Sequence, residues 1–292
     1  GRLLVKVGTL ILAHFDELAA LEARDTGKPL RQAQSDITAA ARYFEYYGTA
    51  ADKVHGDTIP FTEGFFVTTE YLPHGVTGHI IPWNYPAQML GRTLAPALAM
   101  GNATVLKPAE DACLSSLRIV ELCRDAGFPP GAISLVPGTG EDAGAALTAH
   151  RGLDFISFTG SPEVGALVQI AAAHNHIGCT LELGGKSPQI IFADADLDAA
   201  VPVVVAAIVQ NSGQTCSAGA RVLVETSIAD IFTKKLKVAF SELIAGTPDM
   251  DLNLGPLINQ SQKQRIEGYC SKADEDGIPL LAIGRISESA PE

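Results

Sequence analysis

From residue 80 onward the chain keeps one rhythm. Short runs rich in β-branched and aromatic residues alternate with stretches of helical length. Residues 104–106, 133–136, 155–158, 179–183, 189–192 and 221–224 read as strands, and residues 114–126, 142–149, 162–173, 197–210 and 228–245 read as helices between them. Gly127 and Pro129 close one of these helices and Pro162 opens another. Strand–helix–strand units joined by right-handed crossovers make a largely parallel sheet, so the expected fold is α/β and Rossmann-like. Upstream, residues 3–23 and 36–51 carry apolar positions at helical spacing. Residues 65–72 and 76–81 read as two strands separated by Pro73-His74-Gly75, a hairpin-like insertion. A change of composition after Gly184-Gly185 places a domain boundary there. The expected division is residues 1–63 and 80–184 as a cofactor domain, 64–79 as part of the hairpin, and 185–292 as a second α/β domain.

Composition narrows the function. The net charge of −12 argues against nucleic acid or an anionic membrane as partner. The longest apolar run, residues 199–209, is far below the roughly 20 residues a bilayer span needs. Residues 1–7 already read as helix, with no initiator Met and no signal peptide, so the chain is expected to begin inside an element. Five cysteines, an odd number without a C-x-x-C pair, argue against structural zinc and a disulfide framework, and make a reducing cytoplasm the default compartment. Cys113, Cys123, Cys179 and Cys270 are expected to be small buried or half-buried residues. His74, His79, His174 and His176 lack partners at ligand spacing and read as surface histidines, so no metal is expected. Asp194-Ala195-Asp196-Leu197-Asp198 reads as a helix start rather than a calcium loop.

The fifth cysteine is different. Cys216 follows the apolar run to Val209 and sits in the short, polar segment Gly213-Gln214-Thr215-Cys216-Ser217, where a sulfur is accessible and a tight bend is possible. Glu182, between Leu181 and Leu183, is a candidate general base, since apolar surroundings would raise its pKa. A thiol nucleophile and a carboxylate base together suit covalent acyl chemistry. For a cofactor there are two glycine clusters, residues 138–144 around Gly140 and residues 158–165 around Gly160 and Ser161, each able to offer backbone N–H groups to a pyrophosphate. Lys107 and Glu110 stand at the end of a parallel strand, where open α/β sheets bind ligands; an acidic residue there accepts ribose hydroxyls and favours NAD over NADP. The plainer alternative is an exposed ion pair of little consequence.

Five blocks then carry a resemblance: Ile81-Pro82-Trp83-Asn84-Tyr85-Pro86, Leu106-Lys107-Pro108-Ala109-Glu110, Phe158-Thr159-Gly160-Ser161, Leu181-Glu182-Leu183-Gly184-Gly185-Lys186 and Gly213-Gln214-Thr215-Cys216. In this order and at these separations they resemble the NAD(P)-dependent aldehyde dehydrogenase superfamily. The resemblance implies that Cys216 adds to an aldehyde, that Asn84 and the Cys216 N–H form the oxyanion hole, that hydride passes to NAD, and that Glu182 activates the water that hydrolyses the thioester. It implies that Lys107 and Glu110 hold the adenosine ribose, that residues 138–144 lie near the adenine, that Gly160 and Ser161 contact the pyrophosphate, and that Trp83 lies beside the nicotinamide. Tyr85, Met89, Arg92, Thr215 and Ser217 would line the substrate pocket. The hairpin would belong to an oligomerisation domain of a homodimer or homotetramer. Some members that oxidise carboxylate-bearing semialdehydes carry an arginine matching Arg92; otherwise Arg92 turns outward or pairs with an acidic neighbour. The family's Glu-x-Phe-Gly-Pro motif is absent from the sequence, and the N-terminal segment and C-terminal part of the family pattern lie outside it. A CoA-acylating relative, which usually lacks the base glutamate, and an inactive nucleotide-binding or structural member are the alternatives.

Overall fold

A computed structural model describes residues 1–290. They form two compact units, Gly1–Leu18 with Ser35–Glu182, and Ala19–Gln34 with residues from Leu183 onward. The division after Glu182 falls two residues before the Gly184-Gly185 boundary, and residues 19–34 group with the second unit.

The chain opens with α1 (Arg2–Ala13), α2 (Phe15–Thr26) and α3 (Leu30–Ala50). The single helix expected over 3–23 breaks at His14, whose φ of −108° and ψ of 26° leave the helical region. On α1, Leu4, Val7 and Ile11 recur at helical spacing and are buried. Next come β1 (Thr58–Ile59) and β2 (Val67–Thr68), which pair antiparallel. The hairpin therefore pairs residues 58–59 with 67–68, and the expected pairing of 65–72 with 76–81 does not form. Instead β3 (Val76–Ile80) is the middle strand of a five-stranded sheet. The physical reason is burial on both faces: Thr77, Gly78 and His79 are all buried, which a hairpin arm cannot supply.

The rest of the first unit alternates as expected: α4 (Pro86–Ala99), β4 (Ala103–Lys107), α5 (Leu114–Ala126), β5 (Ile133–Leu135), α6 (Ala145–Ala149), β6 (Phe155–Thr159), α7 (Pro162–His174) and β7 (Gly178–Glu182). The helix expected over 142–149 opens with a wider π-type turn at Gly140–Gly144. Gly127, left-handed at φ 110°, ends α5. The strand order is β5-β4-β3-β6-β7, every pair parallel. The order reverses between β3 and β6, and ligands of open α/β sheets bind outside the carboxyl ends at such a switch point.

In the second unit, β8 (Pro188–Ile191) pairs in parallel with β9 (Arg221–Val224), with α8 (Leu197–Val209) between them in sequence. Asp196 caps α8 by accepting from the N–H groups of Asp198 and Ala199, as the helix-start reading requires. The helix α9 (Ala229–Ser241) stops short of the expected residue 245, because β10 (Ile244–Ala245) pairs in parallel with β11 (Arg285–Ile286), beyond α10 (Gln260–Glu275). Ile191, Val201, Val204, Val205, Phe232 and Leu236 make this unit's core. Among the described residues no helix is long and apolar enough to cross a membrane.

One buried polar chain fastens α4 to the main sheet. His79, expected at the surface, is 3% exposed. Its Nδ1 lies 2.6 Å from Thr93 Oγ1, its Nε2 lies 2.8 Å from Thr77 Oγ1, and the Thr93 hydroxyl donates to Ser157 Oγ at 3.0 Å. Because the Thr93 proton goes to Ser157, Thr93 accepts from Nδ1–H, while the single Thr77 proton has two acceptors in reach, His79 Nε2 and, at 3.2 Å, Ala103 O. Burial disfavours the charged ring and pushes the His79 pKa down from 6.5 to about 4. The sign follows. Above 6.5 folded and unfolded chains are both neutral here. As pH falls from 6.5 toward 4 the unfolded chain takes a proton that the folded chain refuses, so stability is lost, by about 3 kcal/mol in all. We expect His79→Gln to remove that part of the pH dependence in denaturant unfolding between pH 7 and 4. Identical slopes in the two proteins would show that His79 titrates freely.

Candidate active site

Four of the five sequence blocks converge on the carboxyl-terminal edge of the main sheet. The loop after β3 carries Trp83, Asn84 and Tyr85, all half-buried, and Pro86 starts α4 at its first turn. Strand β4 ends at Lys107, β6 runs out into Gly160 and Ser161, and β7 ends at Glu182. Trp83–Asn84 and Gly160–Ser161 thus follow the two strands that flank the switch point.

At the end of β4 the Lys107 ammonium lies 2.8 Å from Glu110 Oε2. Lys107 is buried and Glu110 is half-exposed, so this is not the wholly exposed pair of the plainer reading. Burial pushes the Glu110 carboxyl up, but the Lys107 hydrogen bond, with backbone N–H groups including that of Gly140, holds it below its ordinary value. The Gly140 N–H acts on the Glu110 carboxylate, so the first glycine cluster lies near this strand end. A Cβ at Gly140 would meet nothing within 4 Å, so the backbone there is open to a ligand. In the second cluster Gly160 donates its N–H to Glu182 O at 3.0 Å, and a Cβ on it would lie 2.5 Å from the Phe158 ring. Ser161 caps α7, its Oγ accepting from Val164 N–H at 3.3 Å, with Pro162 next. A capped helix start presents backbone N–H groups to an anion.

Glu182 is not enclosed by apolar groups. Its side chain is 52% exposed, and its Oε2 lies 3.2 Å from a guanidinium nitrogen of Arg92. The expectation of an apolar setting fails for a geometric reason: along a strand, neighbours point to opposite faces, so Leu181 does not surround the carboxylate. Arg92 has the acidic neighbour that was one of its two alternatives. Both line a cleft of about 430 Å³ in the first unit, with Met89, Thr93, Thr159 and Thr180 among the other walls.

Cys216, Thr215 and Ser217 belong to the second unit. After α8 the backbone turns left-handed at Asn211 (φ 49°), Ser212 (φ 57°) and Gly213 (φ 78°). Hydrogen bonds from outside brace this turn, Asn211 N–H to Gln32 Oε1 at 2.8 Å, Ser212 Oγ–H to Gly255 O at 2.7 Å and Ile258 N–H to Gln214 Oε1 at 3.0 Å, and others cross it between Asn211 and Gln214. The turn leaves Cys216 exposed. No local pattern points to Gln32, which lies 179 residues from its partner. The polar pair Thr77 and His79 on one face of a buried strand was the signal that could have found the clamp behind Arg92.

Comparison with known proteins decides the family. The model described as "Aldehyde dehydrogenase family" matches residues 1–292. The chain belongs to the aldehyde dehydrogenase family. Human retinal dehydrogenase 2 is 46% identical over 288 residues, which is 98% of this chain and 56% of that protein. A provisionally named aldehyde dehydrogenase from Burkholderia cenocepacia, solved by crystallography, is 57% identical with a TM-score of 0.99, covering all of this chain and 62% of the other. An aldehyde dehydrogenase from Bacillus cereus, solved as its NAD+ complex, is 39% identical with a TM-score of 0.94, covering 96% of this chain and 58% of that one. The chain spans a little over half the length of these relatives.

Within this family member the cysteines differ sharply in setting. Cys216 and Cys270 are exposed, against the expectation for Cys270, while Cys113 and Cys179 are half-buried. Cys123 is buried, which pushes its thiol up to about 12. Brief maleimide labelling at pH 7.5 should therefore modify Cys216 and Cys270 and spare Cys123, read by peptide mass spectrometry. Labelling of Cys123 as fast as Cys216 would contradict the packing around α5.

Proposed function

We propose that this chain carries the nucleophile and the cofactor-holding half of an enzyme that oxidises an aldehyde to a carboxylate with NAD. The observation that carries the proposal is Cys216, exposed at the exit of a left-handed turn braced by hydrogen bonds, in a chain whose whole length matches the aldehyde dehydrogenase family. In this reading the Cys216 thiolate adds to the aldehyde carbon. The Asn84 amide and the Cys216 N–H are the donors for the oxyanion that forms. The acyl group is left as a thioester on Cys216, and Glu182 takes a proton from the water that hydrolyses it. Glu182 disfavours a CoA-acylating relative.

The first unit suits a dinucleotide. Lys107 and Glu110 would hold the adenosine ribose, the open backbone at Gly140 would lie by the adenine, Gly160 and Ser161 would take the pyrophosphate, and Trp83 would stand beside the nicotinamide. When bound, the nicotinamide supplies a hydride acceptor. Glu110, anionic and half-exposed, would accept ribose hydroxyls and repel a 2′-phosphate. The Bacillus cereus relative was solved as its NAD+ complex, which supports a nicotinamide dinucleotide as the cofactor. Tyr85, Met89, Arg92, Thr215 and Ser217 would line the aldehyde's path. The arm around the hairpin exposes Phe61, Phe65, Phe66, Tyr71 and Leu72, a patch that fits burial against another copy in a homodimer or homotetramer.

Two measurements test this reading on the natural full-length polypeptide. Cys216→Ala should abolish NADH formation while NAD still binds, and Glu182→Gln should keep a burst of NADH but lose steady-state rate by about 10²–10⁴-fold. Full turnover by the first variant, or an equal fall of burst and steady state in the second, would reject the assigned roles. Separately, kcat/KM should favour NAD over NADP, and Glu110→Gln should narrow the ratio; equal values for the two cofactors in the wild type would remove the argument from Glu110.

A further inference from the structure

Arg92 is held unusually well for a half-exposed side chain. The residue before it, Gly91, lies where an added Cβ would meet Ala40 O of α3 at 3.0 Å, so α4 approaches α3 closely there. The residue after it, Thr93, is fixed to β3 and β6 through His79 and Ser157. Arg92 therefore projects from a backbone pinned on both sides. Its guanidinium lies 3.2 Å from Glu182 Oε2, the two side chains being 41% and 52% exposed. Histidines apart, Arg92 and Glu182 are the charged side chains among the described residues that line this cleft.

We propose that Arg92 is a positioning residue for Glu182 in the hydrolytic step, setting the direction in which the carboxylate faces the attacking water. The inference rests on the reading of Glu182 as the base. Water gives its proton to Glu182, its oxygen bonds to the acyl carbon, and the C–S bond breaks, returning Cys216 as thiolate. Protonation of Glu182 removes the ionic attraction, so the pair loosens as the proton arrives and re-forms when that proton leaves to solvent. An exposed ion pair resists opening by only a few-fold, whereas a misplaced reacting group costs up to about 10²-fold. Positioning therefore outweighs the cost of opening the pair, and losing Arg92 slows the hydrolytic step.

The test compares wild type, Arg92→Leu, Arg92→Lys, Glu182→Gln and the Arg92→Leu/Glu182→Gln double variant, following the NADH burst and the steady state on the natural full-length polypeptide with NAD and an uncharged aldehyde. Arg92→Leu should keep the burst and lower the steady-state rate by about 10-fold. Arg92→Lys should recover most of that loss, since charge and reach are retained. In the Glu182→Gln background Arg92→Leu should change the rate by less than about 2-fold, because coupled residues are not additive. An equal fall of burst and steady state, lysine behaving like leucine, or additive effects in the double variant would overturn the inference. If instead Glu182→Gln leaves the steady state unchanged, the reading of Glu182 as base fails and takes the role of Arg92 with it; if Glu182→Gln is slow while Arg92→Leu is not, only the positioning role fails.

Discussion

All five strands of the main sheet run the same way, and the placement of every candidate group in the first unit depends on that. Parallel strands leave their carboxyl ends on one edge. Residues 99 positions apart in sequence, Trp83 and Glu182, reach that edge because β3, β4, β6 and β7 each end there. The pairing is also strict in register: Ile80 faces Lys107, and Thr159 faces Glu182. A one-residue slip would turn each side chain to the opposite face. Glu182 would then leave Arg92. That ion pair is a consequence of the sheet and contributes little to holding it.

The cleft wall of this sheet departs from what parallel strands usually show. Strands buried on both faces read as nearly continuous Val, Ile and Leu, yet here Thr77, His79, Ser157, Thr159, Thr180 and Glu182 line the cleft. Burying such groups costs free energy unless each finds a partner. Thr77, His79, Thr93 and Ser157 meet that condition among themselves, and a neutral imidazole completes the chain without a net charge. The polar wall thus runs from a buried, uncharged network beside Thr93 to an exposed, charged pair at Arg92 and Glu182. Neighbouring residues of α4 serve both ends.

What could be read in the sequence followed local physics. The span of α5 was legible because Gly127 and Pro129 punctuate it, and β9 because Arg221–Val224 is a short β-branched run between turns. The five blocks gave the candidate residues and the family. Partnership was not legible. Val76–Ile80 has the composition of a strand wherever it pairs, so nothing local distinguished a hairpin arm from a sheet centre. His79 looks like a surface residue because Thr93, to which it bonds, lies 14 positions away, and Ser157, which Thr93 bonds in turn, lies 78 away. Leu181 and Leu183 suggest an apolar enclosure for Glu182 only if neighbours in sequence are neighbours in space; alternation along a strand separates the two.

The turn before Cys216 shows the same division between local and distant causes. Left-handed backbone costs a residue with a side chain about 1–2 kcal/mol, and Asn211 and Ser212 adopt it one after the other before Gly213, where it is free of that cost. The sequence supplies the mildest residue types for the task, an asparagine, a serine and a glycine. Those residues permit the turn without compelling it. Bonds between Asn211 and Gln214 cross it, and bonds from Gln32, Gly255 and Ile258 brace it from outside. Each engages a polar group of Asn211, Ser212 or Gln214, and at about 1 kcal/mol net per hydrogen bond their sum is comparable to the strain. The strain is therefore balanced within the second unit, and the segment that follows it, from Thr215 to Ser217, is set down in one place with the Cys216 thiol exposed.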